Sequence, residues 1–195
     1  MKTFLHAGLD FGNKRAGTTV LCWLDPHAQR LQFRRSERGQ DADRWLHQQI
    51  EALMPDQIFI DAPLSLPGVY RELPQHHDYF FRAADRALRA MSPLFLGGLT
   101  ARAMQLAATA PDPVRFFETY PSAVARRLGL GELGYKKTLP PVVEALTNHT
   151  SVAFHPDELP TWHHVDALLA WLAGERFLRQ EHDVYGTPEE GLIYT

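Results

Sequence analysis

The chain has 195 residues, 45% of them hydrophobic, with 20 Lys and Arg against 23 Asp and Glu for a formal charge of -3. That length suits one domain with a substantial core, and the charge excludes the strong basic excess of a protein that coats nucleic-acid phosphates. Cys22 is the one cysteine, the first residues are too short of apolar stretch for a signal peptide, and no run reaches the ~18 apolar residues of a membrane span, so a soluble, cytoplasmic chain without membrane partners is expected.

Residues 4–11 read as a strand, with Leu5, Ala7, Leu9 and Phe11 on one face and His6, Gly8 and Asp10 on the other. Gly12-Asn13-Lys14 supplies turn chemistry, 18–24 a second strand closed by Asp25-Pro26-His27, and 31–35 a third. Leu46, Ile50, Leu53 and Met54 form one helical stripe, capped by Asp41 or Asp43. A short buried strand over 57–61 ends before Pro63. The middle reads as helical over 79–91 and 99–109, with breaks at Ser92-Pro93 and Gly97-Gly98. A strand over 114–119 follows, then a helix capped by Ser122, another opened by Pro140 and Pro141, and the clearest helix over 163–178. Gly186-Thr187-Pro188 reads as a turn before Leu192-Ile193-Tyr194. Strands alternating with helices make this an α/β chain.

Three acids end predicted strands: Asp10, Asp61 and Glu118. Open α/β sheets collect ligands outside the carboxyl ends of their strands. A fourth, Asp166, sits inside the apolar last helix, where Ala170 and Ala173 continue its face and allow close packing on the sheet. Each acid also has a structural use: Asp10 and Asp61 in turns, Glu118 beside Arg115, Asp166 at a helix N-terminus. Together they converge. Clustered carboxylates repel one another, and divalent metal, Mg²⁺ or Mn²⁺, relieves the repulsion. Two such ions clamp the attacking and leaving oxygens of a phosphoryl displacement.

Three strands, a helix, a strand ending in an acid and a late acid-bearing helix resemble the RNase H fold. The chain is most similar to the domain-of-unknown-function 429 family, described as predicted nucleases of that fold. The resemblance rests on Gly8-Leu9-Asp10-Phe11-Gly12, Ile60-Asp61-Ala62-Pro63-Leu64-Ser65-Leu66-Pro67, Arg82-Ala83-Ala84-Asp85-Arg86, Glu118-Thr119-Tyr120-Pro121-Ser122, Gly134-Tyr135-Lys136 and His164-Val165-Asp166-Ala167. It implies a single three-layer RNase H-like domain over 1–195, a mixed central sheet with helices on both faces and a helical insertion around 72–112. It also implies a metal-site role for Asp10, Asp61, Glu118 and Asp166, with nucleic acid or a nucleotide as substrate. Asp85 and Arg86 look like a family signature.

Arg82, Arg86 and Arg89 share one helical face, and Arg86 and Lys136 are the candidates for phosphate contacts. His76-His77 reads as a loop pair, and His163 or His164 as a proton shuttle beside Asp166. Two rivals stand: an actin-like or sugar-kinase-like nucleotide-binding phosphotransferase or ATPase, and a non-catalytic binding protein of the same fold.

Overall fold

The computed structural model describes residues 4–195. Its centre is a seven-stranded mixed sheet built from β1 (His6–Asp10), β2 (Val20–Asp25), β3 (Arg30–Arg35), β4 (Gln57–Asp61), β5 (Arg115–Thr119), β6 (Val184–Thr187) and β7 (Gly191–Tyr194). The spatial order is β3-β2-β1-β4-β5-β7-β6. The first three strands form an antiparallel meander, β4 and β5 run parallel to β1, and β7 runs parallel to β5 with β6 antiparallel at the edge. The expected terminal turn is therefore a full hairpin, and β6 is a strand that its short, glycine-containing Val-Tyr-Gly-Thr run did not announce.

Helices cover both faces. One face carries α1 (Ala42–Leu53) and α4 (Gly98–Thr109), the other α5 (Pro121–Arg127), α6 (Leu139–His149) and α7 (Trp162–Leu178). The two cores divide by strand alternation: Ala7, Leu9, Ile58 and Ile60 pack with Trp45, Leu46 and Ala103, whereas Phe59 packs with Leu168, Trp171 and Leu172. All five residues of β1 are buried, as expected of a strand covered on both sides. Asp41 caps α1 by accepting from the amides of Asp43 (3.1 Å) and Arg44 (3.3 Å).

The crossover from β4 to β5 departs most from expectation. In place of one helix over 79–91 there is α2 (Ala83–Leu88), entered through Arg82, then α3 (Pro93–Leu96) capped by Ser92. The breaks at Ser92-Pro93 and at Gly97, whose φ of 52° suits glycine, lie where the sequence puts them. The N-terminal part of the expected helix is instead a turn, because the Asp78 carboxylate accepts from the amides of Phe80 (2.8 Å) and Phe81 (3.0 Å). Among the described residues no helix is long and apolar enough to cross a membrane.

Candidate metal centre

In the parallel pair of β1 and β4, Asp10 lies directly beside Asp61. Both side chains fall on the sheet face that α7 covers, since Gly8 and Phe59, two residues earlier, pack there. Gly8 sets the distance: a Cβ on it would stand 2.2 Å from the Trp171 nitrogen and 2.3 Å from the Ala167 oxygen. The helix backbone thus rests on the strand, and Asp166, one turn into α7, reaches the strand ends. One carboxylate oxygen from each of Asp10, Asp61 and Asp166 lies within 4.8 Å of the others. Hard oxygen donors at this spacing fit a Mg²⁺ or Mn²⁺ ion.

The electrostatics agree with that fit. Burial, followed by the charges of Asp166 and Asp10, pushes the Asp61 carboxyl well above the usual carboxylate range. Burial also raises Asp10, against the lowering effect of the His163 hydrogen bond. Each is a group that ionises reluctantly without a cation. The protein supplies part of the counter-charge itself. From the loop between α5 and α6, Tyr135 donates its hydroxyl to Asp166 Oδ1 (2.5 Å) and Lys136 donates from Nζ to Asp166 Oδ2. Lys136 holds this position with a φ of 65°. His163 Nδ1 meets Asp10 Oδ2 at 2.8 Å, and that bond holds the imidazole above its ordinary pKa.

Glu118 is not a member of the trio. Its Cα partner on β4 is Ile60, not Asp61, so strand alternation turns it to the opposite face from Asp10 and Asp61. There Arg82 takes it. The buried guanidinium donates from Nη1 and Nη2 to Glu118 (2.7 and 2.5 Å), from Nε and Nη2 to Asp85 (3.0 and 2.7 Å), and from Nη1 to Ser65 Oγ (2.8 Å). Those bonds use every donor an arginine has. The Leu64 amide adds a third bond to Glu118 (2.9 Å). Next to this hub, Glu190 accepts from the amides of Gly68 and Ala83 (both 2.7 Å), and His76 Nδ1 lies 3.0 Å from it. Glu118, Arg82 and Asp85 therefore tie the loop after β4 to α2.

The two candidate cations, Arg86 and Lys136, are placed differently. Arg86 is exposed, pairs with Asp78 (2.7 Å) and lies over the Phe81 ring. The arginine that matters locally is Arg82, which reads in sequence as one more member of the Arg82, Arg86, Arg89 face. Lys136 does reach the site, though its partner is Asp166. Of the histidines, His163 is the one at the centre, on Asp10 rather than Asp166. His164 bonds Thr161 Oγ1 (2.7 Å) and burial lowers its pKa to about 4. His77 is exposed.

A cavity of about 300 Å³ opens beside the trio, lined by Asp10 and Asp61 together with residues of α3, α4 and the loops after β4 and β5. In the first hairpin the amides of Gly12 and Asn13 are taken by the hydroxyls of Thr19 (3.1 Å) and Thr18 (3.2 Å). No protein-family model, no curated protein and no solved structure matches the chain.

Proposed function

We propose that the chain is a metal-dependent hydrolase of phosphodiester bonds, a nuclease built on an RNase H-like domain and related to the domain-of-unknown-function 429 family. The observation that carries the reading is the convergence of Asp10 and Asp61, neighbours on adjacent parallel strands, with Asp166 from α7 within 4.8 Å. The strand order through β5 and the late helix bearing an acid support the fold assignment.

Asp10, Asp61 and Asp166 would hold the divalent cation, which supplies charge stabilisation at the phosphoryl oxygens and an acidified water. The remaining roles belong to the chain. Lys136 and Tyr135 fix both oxygens of Asp166, so that this carboxylate keeps one orientation. His163 is anchored to Asp10 through Nδ1, and its side chain is 41% exposed. The Asp10 hydrogen bond raises its pKa, which favours the protonated ring that could pass a proton to the leaving oxygen. Glu118 serves by holding Arg82 and the loop after Asp61. The satisfied amides of the first hairpin disfavour the phosphotransferase alternative.

The test is hydrolysis of single-stranded, duplex and branched nucleic acids with Mg²⁺ or Mn²⁺. Turnover that requires the cation and disappears in Asp61→Asn supports the reading. Turnover unaffected by EDTA, or none on any member of the panel, contradicts it.

A further inference from the structure

We infer that the cavity beside the three aspartates is a base pocket, which takes an unpaired nucleobase by its N–H edge. The inference rests on the phosphodiester reading above and narrows its substrate to nucleic acid whose target base is free of a duplex.

The cavity walls are apolar, from Phe11, Met91, Leu96, Leu99, Tyr120 and Ile193. Among the described residues no Lys, Arg or His lines it, and its charged lining consists of the carboxylates Asp10, Asp61, Asp85 and Glu118. Ionised carboxylates only accept hydrogen bonds. Such a lining disfavours an anionic group in the cavity and leaves phosphate to the cation.

What fits is a flat apolar body with N–H donors on its edge. A carboxylate has about four acceptor positions. Glu118 uses three of them, on Arg82 twice and on the Leu64 amide, and Asp85 uses three on Arg82. Among the described residues about one acceptor position on each is left. Adenine, cytosine and guanine carry exocyclic amines that would use it. Uracil sets two carbonyls beside its one N–H, so it is the poorer match. An aliphatic ammonium would satisfy the acceptors and waste the apolar walls.

The cavity's surroundings point the same way. Met91 lines it and is 60% exposed, and the same segment leaves Tyr79, Phe80 and Phe95 exposed, with the Phe80 and Phe95 rings 5.6 Å apart. Aromatic faces in water suit the stacking of unpaired bases. A base held in a duplex stack does not enter a recessed pocket.

The pocket is tested without phosphate, so that the cation site plays no part. Adenosine, cytidine, guanosine, uridine and ribose are titrated in EDTA by ligand-observed NMR, against wild type and two cavity-filling variants, Leu96→Trp and Ala90→Phe, each checked for a native melt. Saturable signals from the three amine-bearing nucleosides are expected, about tenfold weaker for uridine and absent for ribose, with loss in whichever filled variant is folded. Equal signals from all five ligands, or signals unchanged in a folded filled variant, overturn the inference. A parallel Mn²⁺ titration of wild type separates the two readings. Saturable Mn²⁺ binding with no nucleoside signal removes the pocket and leaves the cation site; nucleoside signals without Mn²⁺ binding support the pocket and remove the cation site.

Discussion

At Asp10, burial and the Asp166 charge oppose ionisation while the His163 ring favours it. A folded-state pKa above the ordinary 3.8 means that the metal-free fold binds the proton more tightly than the unfolded chain does. Its stability contribution is present at low pH and is lost as pH rises from about 4 through the folded value. Asp10→Asn removes that cost and keeps an oxygen for His163. In EDTA at pH 7 the variant should melt no lower than wild type, and Mn²⁺ should no longer raise its melting temperature; a clear drop in EDTA with an intact Mn²⁺ response would assign Asp10 a turn role instead. Arg82 behaves in the opposite sense. Arg82→Met leaves Asp85 and Glu118 buried without their counter-charge, so a loss of ~3–5 kcal/mol is expected in urea unfolding. Asp10 and Asp61 were legible in the sequence because each closes an apolar strand. Glu118 closes one too, yet a pairing register one residue off its neighbour reverses its face, and register is not written in a single strand. Arg82 was illegible for a similar reason: the pattern of basic residues suggests a solvated helix face, while the turn at Asp78 makes it a buried cap.

Between β1 and α7 the contact is backbone on backbone, and the trio depends on it. Gly8→Ala places a methyl group where the Trp171 nitrogen and Ala167 oxygen stand, neither of which is a flexible side-chain end. The helix must move. A destabilisation at the upper end of ~1–3 kcal/mol is expected, together with weaker Mn²⁺ binding even under conditions where the variant is folded. The small residues Ala170 and Ala173 hinted at this approach; Gly8 and Gly174 are the glycines that the approach requires. The same interface carries a pH response. His6 stacks on Trp171 at 5.1 Å, its Nε2 meets the Trp171 carbonyl at 3.2 Å, and burial lowers its pKa to about 4. A depressed histidine pKa gives stability that is complete above 6.5 and is lost as pH falls toward 4, because the unfolded chain takes the proton first. Thermal melts at pH 7 and 5 should therefore fall more for wild type than for His6→Phe. Equal falls would remove His6 as the source.

For the whole molecule, the order of elements made an α/β sheet legible, since the first three strands and the helix after them read from hydrophobic periodicity. The sheet's far edge did not. The β6–β7 hairpin is held partly through side chains remote in sequence: Ser65 Oγ donates to the Glu190 carbonyl (2.6 Å), and Thr119 Oγ1 donates to the Tyr194 carbonyl (2.7 Å). Contacts of that range leave no local pattern to read.

The claim on which the account depends is that the fold brings three aspartates together to bind a divalent cation. Isothermal titration of Mn²⁺ into the metal-free protein at pH 7, with Asp61→Asn alongside, addresses it most directly. Saturable binding to wild type is expected, with at least ~100-fold weaker binding to the variant, since one of three charged ligands is lost. No saturable Mn²⁺ binding to wild type, or the same affinity in Asp61→Asn, would contradict it.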